Sequence, residues 1–520
     1  MSKIKVNDIY FLFLILIASI IIRYSGFNNL SDSDESVYLS AAIQLKFFLL
    51  PYIGISDNTK GPLVYIINSL LYYLSGETIY GFRLAGSIFV ALTSFIIFKI
   101  IKIFSPRSYA LFWSILYLCL VTYLYFPGHL FLPAHVANLF TILAYYYFLK
   151  KNFFFIGLFL GLASLTKQSY IVVSVIFFFY LIFLQSNQKK NLIYIVLGGL
   201  LPLIIIFLFY TFNGTLILFL RNFFYLKTLI CALFADATCF NNHGNLQFIF
   251  QFPYLLMTIL NLKYLTYSTF VTLLITFIIV FNRKFFFFKE HENNKYYEAL
   301  SKTKVFIITI FISIAFHPIY SPHHILEVIP FLTICLAIIL LKKKIFFLII
   351  ICLPILFLPL EFYLNTTGNF YNPINSQIDK YFKNNNFYQK KVFIGPGVSH
   401  VTEAVINYRL VNTTKYTYPE KIFLISDMKE YYGQDFDYNK FFLKIINFKP
   451  ELIIINKPIN EFLLFFKIDK QIIKSFNEKY YLDIFYQDKI YNRYIKNFYK
   501  KNYSINKIYI YRKKVDVINR

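Results

Sequence analysis

Charge is scarce in this chain. Only 15% of its 520 residues are Asp, Glu, Lys or Arg, against 58% hydrophobic residues, and the mean hydropathy is +0.56. That balance excludes a soluble domain for most of the length. Acidic residues are the scarcer sign, 26 against 52 basic ones. The basic residues stand in small clusters between apolar runs rather than on one soluble face, which excludes nucleic acid as the partner. Cysteine is scarce too. The five present are too few and too scattered for a disulfide framework. Cys119, Cys335 and Cys352 fall within apolar runs, while Cys231 and Cys239 share one loop and can pair if it faces an oxidising compartment. No small-residue cleavage site follows the apolar Ile9–Ile22, and Arg23-Tyr24 stands in its place. The first run therefore reads as a retained span, not a secretory signal. Fixed-period repeats are absent. Gly395-Pro-Gly397 lacks both glycine fingerprints of a phosphate loop and reads as a strand-to-helix turn.

What is present is a series of apolar runs of about 15–22 residues, near the length a helix needs to cross a bilayer. Candidate spans lie near 9–23, 82–104, 109–126, 131–149, 153–167, 169–185, 192–211, 264–282, 305–320, 324–341 and 345–361, about eleven in all. Every second connection is basic: Lys3/Lys5, Lys99/Lys102/Arg107, Lys150/Lys151, Lys189/Lys190, Arg283/Lys284 and Lys342–Lys344. The positive-inside rule puts those connections and the N-terminus in the cytoplasm, and an odd number of spans puts the C-terminus outside. The external side then receives the loop 24–81, the loop 212–264, the turn His317–His324 and everything beyond Glu361. Within the first loop, Val37–Leu50 and Leu63–Leu74 are too short to span and read as interfacial amphipathic helices. From about residue 375 the pattern turns soluble. Lys391–Ile394, Lys421–Ile425 and Glu451–Ile455 read as buried strands of a small α/β domain. The expected domains are thus 1–365, a transmembrane unit with the interfacial helices of loop 24–81, and 375–520, a soluble external unit.

Charged residues beside membrane spans are expensive and invite a functional reading. In Asp32-Ser-Asp34-Glu35, Asp34 and Tyr38 share one helix face. Asp32 and Glu35 suit a helix start, where acids favour the positive end, and this leaves Asp34 unexplained. A surface carboxylate there can act as general base on an acceptor, and Asp32-x-Asp34 also offers oxygens to a divalent cation. Lys60, in Lys60-Gly-Pro-Leu-Val-Tyr65, can hold a lipid phosphate or merely snorkel, and Arg83 has the same two readings. Lys167-Gln168 interrupts two apolar spans on the expected external side, against the positive-inside bias. Arg221 is a further candidate phosphate contact. His317, His323 and His324 share one external turn, more in keeping with hydrogen bonding at a cavity mouth than with zinc. His129 reads as a turn residue.

Taken in order, the segments resemble the protein mannosyltransferase and aminoarabinose transferase superfamily of GT-C glycosyltransferases (family 39-like, bacterial). The matching residues are Asp34-Glu35-Ser-Val-Tyr38, Lys60-Gly-Pro62-Leu-Val-Tyr65, Phe82-Arg83-Leu-Ala-Gly86, Gly161-Leu-Ala-Ser-Leu-Thr-Lys167 and His323-His324-Ile-Leu-Glu-Val-Ile-Pro330. Gly61 stands where the family usually has a first proline, and Asn58 and Thr59 where members often show acidic or aromatic residues. The resemblance implies a GT-C fold with a small C-terminal α/β extracytoplasmic domain in a bacterial inner membrane. By position, Asp34 would be the catalytic carboxylate and Glu35 its support. Lys60 would bind the phosphate of a polyprenyl-phosphate sugar donor, with Tyr38, Tyr65, Arg83, Lys167, Gln168, Arg221, His323 and His324 as further substrate contacts. The implied reaction is an inverting displacement onto a lipid, glycan or protein acceptor with no obligatory cofactor or metal. A glycolipid flippase and a polysaccharide polymerase or ligase are the alternatives. The first should show paired repeats or broken spans, and the second should rely on Arg and His in a large external loop.

Overall fold

The computed structural model describes residues 6–27, 35, 38–39, 42, 45, 61–123, 130–184, 189–223, 303, 306, 309–310, 326–341, 373–394, 408, 410–412, 437–455, 458–465, 468–487 and 507–514. The expected spans near 264–282 and 345–361, the strand Lys421–Ile425, and Cys231 and Cys239 lie outside them. Contacts divide the chain into two units, residues 1–28 with 58–367 and residues 29–57 with 368–520.

The first unit is helical. Its described elements are α1 (Val6–Arg23), α2 (Pro62–Leu74), α3 (Ile79–Ile101), α4 (Arg107–Tyr123), α5 (Pro133–Leu149), α6 (Phe153–Thr166), α7 (Ser169–Leu184), α8 (Lys189–Phe212), α9 (Leu216–Phe223) and α10 (Ile329–Leu340). Their starts follow local chemistry. Pro62 and Pro133 open α2 and α5, where a missing N–H costs nothing. Thr78 caps α3 by accepting from the Gly81 N–H at 3.0 Å. By length and composition, α3 and residues 191–212 of α8 can cross a membrane. They differ in surroundings: 61% of the α3 window is buried, and 17% of the α8 window. So α3 is central, and α8 turns an apolar surface of Leu197, Leu201, Ile205 and Leu208 outward.

Around α3 the packing is mixed with polar ties. At one end of α1, Asp8 accepts from both Lys99 and Lys102 at 2.6 Å. Further along, the Ser19 hydroxyl donates to the Ser87 carbonyl at 3.1 Å. Trp113, Tyr117 and Tyr145 fill the space between α3, α4, α5 and α10 with Phe306 and Phe331, whose rings stack at 5.2 Å. Helices α6 and α8 approach closely. A Cβ on Gly157 would overlap the main-chain oxygen of Ile195, so only glycine permits this spacing. Gly157→Val is expected to push the helices apart and cost about 1–3 kcal/mol. Thermal unfolding in detergent should show a lower midpoint; an unchanged midpoint would mean that the two backbones do not touch there.

The second unit holds a five-stranded sheet of order β2-β1-β3-β5-β4, with β1 Lys391–Ile394, β2 Val411–Asn412, β3 Leu452–Ile455, β4 Tyr480–Gln487 and β5 Lys507–Lys513. Strands β2, β1 and β3 run parallel, and β5 is antiparallel to both β3 and β4. The remaining helices are α11 (Pro373–Asn384), α12 (Tyr438–Phe448), α13 (Ile459–Phe465) and α14 (Lys470–Lys479). Alternation along β3 feeds two cores. Ile453 and Ile455 pack with Phe442, Phe462 and Phe476, while Leu452 and Ile454 pack with Ile378 and Phe382. All four β3 residues are buried, as a strand covered on both faces requires. Tyr480 donates its hydroxyl to the Pro450 carbonyl at 2.9 Å, and burial pushes that phenol up to about 12. Glu35, Tyr38, Leu39 and Ala42 are buried residues of this unit.

Candidate functional site

Three of the sequence segments singled out above meet in the first unit. The Gly61 N–H, just before α2, donates to the Thr166 carbonyl at the end of α6 at 3.2 Å. Gly61 has φ −62° and ψ 153°, open to any residue. Space is what demands glycine: a Cβ would overlap the Leu165 carbonyl. One residue on, Lys167 leaves the helix in an extended conformation, its N–H still bonded to the Ala163 carbonyl at 3.0 Å. Its ammonium pairs with the Glu327 carboxylate, and the side chains are 2% and 0% exposed. The Ser169 hydroxyl, at the start of α7, donates to the other Glu327 oxygen at 3.4 Å.

The neighbouring residues extend this junction. Asn138 of α5 donates its amide to the Leu326 carbonyl at 2.7 Å, and Tyr170 donates its hydroxyl to Asn138 Oδ1 at 2.9 Å. Four parts of the chain are thereby locked together: the start of α2, the α6–α7 turn, α5 and the approach to α10. Charges buried this deeply persist only when paired and hydrogen-bonded, and Lys167, Glu327 and Ser169 meet that requirement. Gln168, in the same turn, keeps a buried Nε2 without a hydrogen-bond partner.

A second cluster joins α1 to α3. Arg83 is fully buried and donates to the Gly26 and Phe27 carbonyls at 2.9 and 3.1 Å. Arg23, also fully buried, donates to Ser87 Oγ and to the Leu130 carbonyl, each at 3.2 Å. These guanidiniums fasten main chain at the end of the α1–α3 pair.

Of the residues expected from sequence, the structure brings Gly61 and Pro62 of the Lys60 segment together with Lys167 and Gln168, and it buries Tyr65 on α2. Arg83 stands in the other cluster. Glu35 and Tyr38 belong to the second unit. Asp34, Lys60, His323 and His324 lie outside the described residues, and so does the side chain of Arg221, which stands on α9. Among the described residues, no three metal-ligating side chains come together. Sequence reasoning passed over Glu327, Arg23 and Asn138. For Glu327 a signal was present, an acid at the mouth of an apolar span within the His323–Pro330 segment.

Residues 59–212 match the family model described as dolichyl-phosphate-mannose-protein mannosyltransferase. That segment contains Gly61, Lys167, Arg83 and the Ser87 and Leu130 partners of Arg23. ArnT from Cupriavidus metallidurans, in the apo state, superposes with a TM-score of 0.55 over 97% of this chain and 97% of that one, at 13% identity. The chain has the GT-C glycosyltransferase fold. Two further structures match with lower TM-scores. ArnT of the same organism bound to undecaprenyl phosphate gives a TM-score of 0.43 over 82% of this chain and 77% of that chain, at 14% identity. The oligosaccharyltransferase of Archaeoglobus fulgidus, in complex with Zn and sulfate, gives 0.47 over 92% and 72%, at 12% identity. No curated protein sequence matches the chain.

Proposed function

We propose that this GT-C protein is an integral-membrane glycosyltransferase that moves a sugar from a polyprenyl-phosphate donor to an acceptor at the external face of a bacterial inner membrane. The observation that carries the reading is the Gly61–Thr166 bond. It ties the Lys60-Gly-Pro-Leu segment to the Gly161–Lys167 segment, inside the stretch that matches a family defined by a lipid-phosphate-linked mannose. Buried packing alone does not require that these two segments, rather than any others, be the ones joined.

The chemistry follows from the residue types. The acceptor hydroxyl attacks the anomeric carbon from the face opposite the phosphate, the carbon–oxygen bond to phosphate breaks, and its electron pair leaves with the lipid phosphate. Configuration inverts. Asp34 takes the hydroxyl proton. Lys60 neutralises the charge that grows on the departing phosphate, and Glu35 supports the base. The second unit faces the same external compartment, and the N-terminus lies in the cytoplasm. Acceptors of three classes suit this reaction: lipid, glycan and protein. The reading invokes no metal step.

The test uses purified protein in lipid nanodiscs with a panel of polyprenyl-phosphate sugars and candidate acceptors. Mass spectrometry follows free polyprenyl phosphate. Sugar-selective release is expected; intact donor under every combination, with folded protein, would replace the transferase with a transporter, to be sought by flipping assays. In the same assay Lys60→Ala is expected to raise the donor KM about tenfold or more, as loss of a charge-assisted phosphate contact does, with the acceptor KM little changed. An unchanged donor KM would reduce Lys60 to a snorkelling residue.

A further inference from the structure

Asn68 lies in the middle of α2 and is 1% exposed, yet among the described residues neither its Oδ1 nor its Nδ2 has a hydrogen-bond partner. It stands on the buried face of α2 with Val64, Tyr65 and Tyr72, while Ile66, Leu70 and Leu74 are exposed on the other. A buried polar group left unsatisfied costs about 1–3 kcal/mol, and native interiors leave few such groups. Leucine would fill the same volume without that cost. Packing among the described residues therefore gives no reason for an amide here.

The two atoms restrict what a ligand must offer to serve both. Nδ2 offers a donor and Oδ1 an acceptor. A phosphate without protons only accepts and would leave Oδ1 unserved, and an isoprenoid chain serves neither atom. A sugar hydroxyl both donates and accepts, so hydroxyls on one ring satisfy both ends of the carboxamide. The location agrees. Asn68 is two helical turns from Gly61, about 10 Å along α2 at 1.5 Å per residue, and Gly61 is the residue after Lys60. A second orphan, Nε2 of Gln168, sits in the turn following Thr166, on which Gly61 rests.

We propose that Asn68 is a sugar-binding residue, its carboxamide hydrogen-bonding hydroxyls of the donor's transferred sugar. The assignment rests on the transferase reading and deepens it: Lys60 holds the phosphate and Asn68 reads the sugar beyond it. Asn68 is enclosed in this structure, so the ligand reaches it as the far end of α2 swings outward, its start held by the Gly61–Thr166 bond. The helix is bounded by Gly61 at one end and at the other by Gly76 and Glu77, which turn the chain with φ of 89° and 59°. The most exposed residues of its outer face, Ile66, Leu70 and Leu74, are apolar.

The experiment measures binding to the full-length protein in nanodiscs by native mass spectrometry. The probes are bare undecaprenyl phosphate and a set of undecaprenyl-phosphate sugars, and thermal unfolding is run alongside. In Asn68→Leu the ligand-free midpoint is expected to rise, because an unsatisfied amide is gone. Affinity for the preferred sugar-linked donor falls about tenfold, and affinity for bare undecaprenyl phosphate is unchanged. Equal affinity of wild type and variant for the sugar-linked donor would overturn the proposal. So would an unchanged donor affinity with a raised acceptor KM, since the amide would then read the acceptor. Wild-type protein that binds neither probe would overturn the transferase reading itself, a result distinct from either of these. Asn68→Ser carries the same comparison should Asn68→Leu not fold.

Discussion

Asp34→Asn protein transfers sugar about 10²–10⁴-fold more slowly than wild type, the range that loss of a positioned general base produces. The amide has the size and shape of the carboxylate and cannot take the acceptor proton, so the loss falls on kcat and leaves the donor affinity nearly as it was. The measurement is single-turnover release of polyprenyl phosphate at saturating donor, with thermal unfolding to show that the variant is folded. Near-wild-type turnover would leave Asp34 with the bland reading that the sequence offers Asp32 and Glu35, acids suited to the start of a helix.

The second large effect concerns stability. Glu327→Leu removes the carboxylate to which the buried Lys167 ammonium is paired, and breaking a buried pair from one side costs about 3–5 kcal/mol. Replacing both partners, as in Lys167→Met with Glu327→Leu, recovers most of that loss, because an apolar pair has no charge to desolvate. Wild type, the two single variants and the double variant form a cycle read by thermal unfolding in detergent. Strong coupling is expected. Simple additivity would mean that Lys167 and Glu327 stand apart in the native protein. If the Lys167→Met/Glu327→Leu protein is stable yet slow in transfer, the pair also holds the α6–α7 turn against Gly61 for the reaction.

Helix positions were legible because apolar run length and basic punctuation set them. The runs near 82–104, 109–126, 131–149 and 192–211 correspond to α3, α4, α5 and α8 within about three residues at most ends. The offset at α3 has a local cause, the Thr78 cap, which starts the helix earlier than hydropathy does. The short amphipathic stretch Leu63–Leu74 is α2, and two strands of the C-terminal unit, at 391–394 and 452–455, stand where short apolar runs put them. Partners were less legible. The misplaced charge of Lys167 was visible, but its pairing with Glu327 depends on how α6 and α7 pack beside α10, and no periodicity encodes that. Arg23 drew attention only as a poor cleavage site. A guanidinium satisfied by a serine hydroxyl and a carbonyl leaves no pattern in sequence.

The Gly61 contact explains a substitution. At φ −62° the backbone already has the shape a proline ring would impose, so the first proline usual in the family that the segment resembles would fit the chain direction without strain. It is barred on two other counts: it lacks the N–H that Thr166 receives, and its Cβ would run into the Leu165 carbonyl. Positions 61 and 165–166 therefore form one unit of evolutionary change. A relative that carries the proline must hold the end of its sixth helix farther away, and the two features should be inherited together. In this chain the direction of α2 is set by a neighbour's main chain, so mutations in α6 should reach the Lys60 segment from a distance.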